Sequence, residues 1–501
     1  MIFVLILVCY SLGLWRMSVP MTGDQKTYLS IALEMKEKGS ILIPYLYGQP
    51  NFLKPPLQYW MTLIGWKLFG LSLFGALLPS VLALVASSWL VQKISKSTTP
   101  LPALVFASTL ATMTYGTTAQ MEIWIVAFYL AAWALYLEKK LLLTFVTVGV
   151  MAWVKGPLYP VLFVLSIFFK AYLDHNLIVL KKPKFLLSLL LGILVGLSWY
   201  FAAATTHYQA LRDVFFGREN FGKLQTSQGT PWGLWGEFIM TLFPVVYLVI
   251  VSVADPEFKN RFKTHGKLWL SYALIPALFF TFFPYRVNTY LYLLTPVIAW
   301  MTVTHPHPSR PLKLLMSAFV VIIALVGGIL SYRLWSGQWI SLVIALSLAV
   351  TLTVWALANI RLNAIWVGVS SLILVNLIRF GATDIGEWDL RPLREVASAS
   401  EFEYRIEPNQ EDIWHEFGLI SSALARSIHY VSTPEQEIEK LNLGETLLLS
   451  EDQFPLSNEV CSPWRRLKRR TKFPVYDLLF SGLSIEDPSL HRNFKFCRLR
   501  K

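Results

Sequence analysis

Apolar residues run along this chain in long blocks rather than in alternation. Blocks at 1–17, 73–92, 101–117, 120–137, 141–154, 157–172, 185–204, 237–254, 268–283, 288–304, 314–332, 338–357 and 362–379 are long enough, or nearly so with their flanks, to cross a bilayer as helices. They predict about thirteen transmembrane helices joined mostly by short polar turns. Between the first two blocks the pattern changes. Residues 24–38 place Tyr28, Ile31, Ala32 and Met35 on one helical stripe, with Lys26, Glu34, Lys36, Glu37 and Lys38 mostly elsewhere. That predicts an interfacial helix lying on the membrane, stopped by Gly39. A second short helix is expected after Pro55–Pro56, with Tyr59, Trp60 and Trp66 at headgroup depth.

Beyond residue 379 the apolar blocks cease. Residues 380–501 combine a helical stretch near 411–429 with strand-like pieces at 445–450 and 475–480. This is the pattern of a small soluble α/β or α+β domain. Two domains are therefore expected, 1–379 in the membrane and 380–501 outside it. Residues 1–15 lack a basic n-region and a small-residue cleavage site, so they read as a retained first helix rather than a leader.

Composition sharpens this division. The chain is 55% hydrophobic with a mean hydropathy of +0.50, and its carboxylates avoid the apolar part. Residues 1–379 hold 11 Asp and Glu against 28 Lys and Arg, whereas 380–501 hold 20 against 16. The net charge of +13 does not indicate nucleic acid, because most of the excess sits in short loops between blocks. With the amino terminus inside, the cytoplasmic loops carry Lys93, Lys96, Lys139, Lys140, Lys181, Lys182, Lys184, Lys259, Arg261, Lys263, Lys267, Arg310, Lys313 and Arg361. That assignment obeys the positive-inside rule and puts 18–72, 205–236 and the tail on the outer face. Cys461 and Cys497 both lie in the tail, where pairing and two free thiols are equally open; Cys9 lies in an apolar block. The tail's basic run from Arg465 to Lys472 is either a solvated face or a contact for anionic headgroups.

Ionisable residues at the membrane are costly to keep and so are candidates for function. Asp24 opens the interfacial helix, where it also suits a helix cap. Glu122 begins the fourth block with no basic residue within fifteen positions, so it needs a wet cavity or a distant cationic partner. Lys54 precedes two prolines, Lys155 sits in a Lys-Gly-Pro turn, and Arg286 lies four residues before Tyr290. Each cation suits a snorkelling anchor. All three, however, fall on the less basic face, where together they would make an anion site for a lipid-borne phosphate. A carboxylate that handles an acceptor hydroxyl, beside cations that stabilise a departing phosphate, fits group transfer from a lipid phosphate.

At these residues the chain resembles the GT-C membrane glycosyltransferases of the aminoarabinose-transferase (ArnT-like) and protein-mannosyltransferase group. The pattern D-E-x-x-Y-A-x-I-A-x-x-M is matched by Asp24, Tyr28, Ile31, Ala32 and Met35. The pattern F-E-K-P-P-x-x-Y-W is matched by Phe52, Lys54, Pro55, Pro56, Tyr59 and Trp60. Weaker matches follow in order: Glu122 for T-D-x-x-L, Lys155–Gly156–Pro157 for K-G-P, and Trp199–Tyr200 for P-W-Y. Glu219, Asn220 and Lys223 resemble H-N-x-x-R, and Arg286 with Tyr290 resembles K-x-x-x-Y. The resemblance covers residues 1 to about 300.

It implies an all-α polytopic membrane fold of GT-C type that takes a sugar from a polyprenyl (undecaprenyl) phosphate donor. It further implies Asp24 as the principal catalytic acid/base, and Lys54, Arg286 and Tyr290 as holders of the donor phosphate; the residue pattern itself adds Glu122 as a second catalytic carboxylate and Lys155 as a further phosphate ligand. Tyr28, Tyr59, Glu219 and Asn220 would be further substrate-binding residues. The acceptor is left as lipid A, another glycan or a protein. The expected location is a bacterial inner membrane, with the site facing the periplasm and membrane lipid around it. No cofactor is implied beyond the lipid-linked sugar. Gln25, Thr27 and Leu53 depart from the family pattern, and Leu53 removes a carboxylate that would serve a divalent metal, so no metal ligand is assigned. Two other classes remain open: a transporter or lipid flippase using the same charges, and a non-catalytic scaffold with the same fold.

Overall fold

The computed structural model describes residues 2–15, 23–46, 48–253 and 256–302, with short pieces of 368–376 and strands between 404 and 499. The predicted blocks at 314–332 and 338–357 fall outside the described residues, and that at 362–379 falls largely outside them. The chain divides into two compact units. One comprises 1–13, 52–58 and 78–380, and the other 14–51, 59–77 and 381–501.

Helices follow the apolar blocks closely at first. In order they are α1 (Ile2–Trp15), α2 (Gly23–Glu37), α3 (Leu57–Phe69) and α4 (Leu73–Ser95). Then come α5 (Leu101–Ala107), α6 (Leu110–Gly116), α7 (Glu122–Leu137), α8 (Leu141–Lys155), α9 (Leu158–Leu173) and α10 (Pro183–Ala210). The last five are α11 (Lys223–Gln225), α12 (Pro231–Thr241), α13 (Val246–Val253), α14 (Pro256–Phe282) and α15 (Thr295–Met301). Among the described residues, α4 and the helical run Pro183–Gln225 are long and apolar enough to cross a membrane on their own. α7, α8 and α9 are apolar but shorter. On α10, Leu186, Leu187, Leu190, Leu194 and Phe201 are each more than half exposed. A water-facing helix rarely presents such a row, whereas a lipid-facing one does.

Three blocks differ from the continuous spans expected. The block at 101–117 is two helices, because Thr109 turns extended and its hydroxyl accepts from Thr112 N–H at 3.0 Å, starting a new helix. The freed Leu110 N–H bonds Phe243 O at 3.0 Å. The block at 237–254 divides between α12 and α13 around Pro244, which has no N–H to continue a ladder. The block at 288–304 opens with a tight 3₁₀ stretch, Asn288–Leu294, before α15. Hydropathy is blind to all three breaks, since the residues around each stay apolar.

Among the described residues α10 is the longest helix, and it sets one wall of the site. It packs on α8 at three glycines. A Cβ at Gly149 would lie 2.3 Å from Gly192 O, so only glycine allows the two backbones this close, with Gly196 one turn further along. Past the apolar block α10 runs on rather than becoming a loop. After a kink at His207 it widens into a π-type segment, Leu211–Gly222, that carries Glu219 and Asn220.

The second unit corrects the expected interfacial helix. Residues 28–35 of α2 are buried on every side, Glu34 included. A two-residue ladder, β1 (Tyr45–Leu46) with β2 (Gln49–Pro50), turns at Gly48, whose N–H donates to Glu34 Oε2 at 2.8 Å. Of the polar residues on α2, Glu34 therefore meets protein, while Asp24, Lys36 and Glu37 are exposed. In the tail, β3 (Tyr404–Ile406) pairs in parallel with β4 (Ile428–Tyr430). β5 (Thr446–Ser450), β6 (Glu459–Cys461) and β7 (Arg465–Lys468) all pair antiparallel with β8 (His491–Leu499). The strand expected at 445–450 is β5, while 428–429, assigned to a helix from the sequence, is in β4. The remainder of that helix and the strand at 475–480 fall outside the described residues.

Candidate active site

The Phe52-Leu53-Lys54-Pro55-Pro56 turn fixes the first cation. Phe52 is fully buried, with its ring 6.4 Å from Trp199 and 5.8 Å from His207. The following prolines remove backbone freedom. Lys54 is thereby aimed at the π-type segment, where its Nζ donates to Glu219 Oε2. The same carboxylate oxygen accepts from Lys223 Nζ at 2.9 Å, one turn further on. Glu219 thus bridges two ammonium groups, and its side chain is only 14% exposed.

The second cation comes from the Lys155-Gly156-Pro157 turn. Gly156 has φ +97, and a Cβ there would stand 3.0 Å from the Phe215 ring. The conformation favours glycine, and a side chain there would also push the Phe215 ring back by a few tenths of an ångström. The turn leaves Lys155 Nζ 2.5 Å from Glu122 Oε1, and 5.6 Å from the centre of the Tyr290 ring. Glu122 occupies the first turn of α7 and is buried, so its distant cationic partner is Lys155.

Lys54, Lys155, Glu219, Asn220, Lys223, Tyr159 and Tyr290 line one cavity of ≈ 70 Å³, with Leu53, Leu158, Phe215 and Phe283 as its apolar walls. It has room for several waters or one phosphoryl group. Asn220 is fixed by its Nδ2 donating to Phe215 O at 2.5 Å. Burial pushes the Lys54 ammonium down to about 8; Glu219 pulls it back up and Lys223 adds to the fall. Burial alone would raise the Glu219 carboxyl, but the two lysine charges outweigh it and hold it at about 2. Ammonium groups and a carboxylate already bonded to two of them do not make a donor set for a divalent cation.

The cavity brings together five of the residues singled out from the sequence: Lys54, Lys155, Tyr290, Glu219 and Asn220. Glu122 stands behind it, bonded to Lys155. Arg286 is used differently. Its Nε donates to Thr281 O at 2.9 Å, and its Nη1 to Gly229 O at 3.1 Å and Pro284 O at 3.3 Å. It ties the 228–229 strap to the end of α14 and does not line the cavity. Asp24, Tyr28 and Tyr59 belong to the second unit. Asp24 is exposed in the first turn of α2, while Tyr28 and Tyr59 are buried with ring centres 6.0 Å apart. Lys223 entered the sequence reading only through its motif, and Tyr159 not at all. The i, i+4 spacing of Glu219 and Lys223 was the available signal.

The fold matches the crystal structure of ArnT from Cupriavidus metallidurans bound to undecaprenyl phosphate, with a TM-score of 0.70 over 99% of this chain and 97% of that one, at 13% identity. The undecaprenyl phosphate-alpha-4-amino-4-deoxy-L-arabinose arabinosyl transferase of Yersinia pestis is 25% identical over 319 residues, 59% of this chain. The corresponding transferase 1 of Pseudomonas fluorescens is 31% identical over 131 residues, 24% of this chain. The aligned parts make up 54% of the Yersinia protein and 22% of the Pseudomonas one. No family model matches the chain. The chain has the ArnT fold, and in fold and sequence it resembles the ArnT-like GT-C glycosyltransferases.

Proposed function

We propose that this protein transfers a sugar from a polyprenyl phosphate donor to a lipid A, glycan or protein acceptor at the periplasmic face of a bacterial inner membrane. The observation that carries the reading is the convergence of Lys54, Lys155 and Lys223 on one small cavity beside an apolar, lipid-facing helix. An array of ammonium groups at headgroup depth suits a lipid-borne phosphate. The likeness to ArnT supports the same donor class.

In this reading the acceptor oxygen attacks the anomeric carbon from the side opposite the phosphate. The carbon–oxygen bond to the phosphate breaks, and its electron pair leaves on the phosphate oxygen. Lys54, Lys155 and Lys223 stabilise that charge, and Tyr290 and Asn220 bound the pocket around it. Inversion follows from the opposite-face attack. Asp24 takes the acceptor proton, a role drawn from its place in the D-x-x-x-Y motif. If the acceptor is an ionised phosphate, Asp24 orients it. Glu122 acts through Lys155, keeping that ammonium charged and in place.

The test is transfer of radiolabelled sugar from a polyprenyl phosphate pool in membranes, comparing wild type with Asp24→Asn and Lys54→Ala. Both variants are expected to lose most transfer. Equal transfer by Asp24→Asn overturns the catalytic assignment, and label that crosses the bilayer without joining an acceptor indicates a transporter.

A further inference from the structure

The cavity that would receive the donor phosphate already contains an anion of its own. Glu219 Oε2 is bonded to both Lys54 and Lys223, while Lys155, which lines the same cavity, is bonded to Glu122. Three ammonium groups against two carboxylates leave the cluster with a single positive charge. A site meant only to hold phosphate as tightly as possible would omit Glu219, because it repels the ligand and occupies its partners.

The charge of the two lipids that pass through the site differs. A polyprenyl phosphosugar is a phosphodiester with one negative charge. After transfer, the departing polyprenyl phosphate is a monoester, which approaches two negative charges above its second ionisation near pH 6. A carboxylate in the cavity repels the second about twice as strongly as the first, so Glu219 offsets part of the advantage that the ammonium groups alone would give the doubly charged monoester. We infer that Glu219 is the charge filter of the cavity, weakening the hold on the doubly charged monoester more than on the singly charged phosphodiester, so that spent carrier is released more readily than the ammonium groups alone would allow. This rests on the donor reading above and adds to it a selectivity between substrate and product. No bond is made or broken by Glu219; it acts by repulsion and by competing for Lys54 and Lys223.

The experiment uses the full-length protein in detergent micelles and two soluble probes, farnesyl phosphate (monoester) and farnesyl methyl phosphate (diester). Affinities are measured by calorimetric titration at pH 8, where the monoester is doubly charged, and at pH 5, where it carries one charge. Wild type is expected to favour the monoester over the diester at pH 8 by less than Glu219→Gln does, and to bind the two about equally at pH 5. Glu219→Gln should strengthen monoester binding at pH 8 by about tenfold or more relative to the diester, and Glu219→Asp should keep the wild-type ratio. Two results overturn the inference while leaving the donor site intact. One is a fall in the monoester-to-diester affinity ratio at pH 8 in Glu219→Gln; the other is an unchanged ratio in that variant, with both probes still weakened by Lys54→Ala. If neither probe binds, or Lys54→Ala leaves both unaffected, the donor-site reading falls and this inference falls with it.

Discussion

Lys155 Nζ lies 2.5 Å from Glu122 Oε1, joining the last turn of α8 to the first turn of α7. Both side chains are largely withdrawn from solvent. Removing either partner strands a charge, which typically costs about 3–5 kcal/mol. Glu122→Ala is therefore expected to lower the melting temperature strongly. Glu122→Ala combined with Lys155→Met should recover much of the loss, measured by thermal shift in detergent. If the double variant regains stability but not transfer, the pair serves the reaction as well as the fold.

Gly156 is constrained twice, by φ +97 and by the Phe215 ring. Gly156→Ala is expected to cost about 1–3 kcal/mol and to disturb the direction of Lys155. Adding Phe215→Leu should relieve the steric part alone, leaving the backbone cost. Stability of the single and double variants, measured against Phe215→Leu, separates the two.

pH acts on this site through Lys54 and Glu219. The Lys54 ammonium stands at about 8 against an ordinary 10.5, so the folded state binds fewer protons in that window and the stability owed to this group rises with pH there. Phosphate binding has the opposite sign, because it needs the charged form. Affinity for the diester probe should fall by up to about tenfold per pH unit above 8, and Lys54→Arg should flatten the fall. Glu219, held at about 2 against an ordinary 4.5, contributes stability above 4.5 that is lost as the pH drops toward 2. Acid unfolding of Glu219→Gln should accordingly be less steep over that range.

Arg286→Lys tests a brace rather than a ligand. The guanidinium serves three backbone carbonyls, a fork that an ammonium cannot reproduce. The substitution is expected to lower stability by about 1.5–3 kcal/mol, with KM for the donor changing less than kcat. A selective rise in donor KM at unchanged stability would make Arg286 a direct phosphate contact.

The sequence carried the apolar helices well, because a run such as 122–137 or 141–155 buries or faces lipid along its whole length. It failed where an interruption was itself apolar or small, as at Ser108–Thr109 and Pro244. It also misjudged Glu34, since amphipathicity assumes water on the polar side and cannot foresee a hairpin whose Gly48 N–H replaces that water. In the site, proline and glycine made Lys54 and Lys155 legible by fixing the turns that present them. Arg286 was not, because spacing reveals where a cation stands and nothing of which carbonyls it meets. Glu219 was legible as a position but not as a bridge, which needed Lys54 from 165 residues away.

From Pro183 to the kink at His207, α10 rises roughly 36 Å, and the basic residues Lys181, Lys182 and Lys184 lie at its amino-terminal end. A hydrocarbon layer is about 30 Å thick. In the orientation proposed above, the wall bearing Glu219 and Lys223 would stand on a post whose height above the lipid is set by the membrane as well as by the protein. A thinner bilayer would lift the cavity clear of the headgroups, and a thicker one would draw it down among them. Lipid chain length would then control which phosphates the cavity meets.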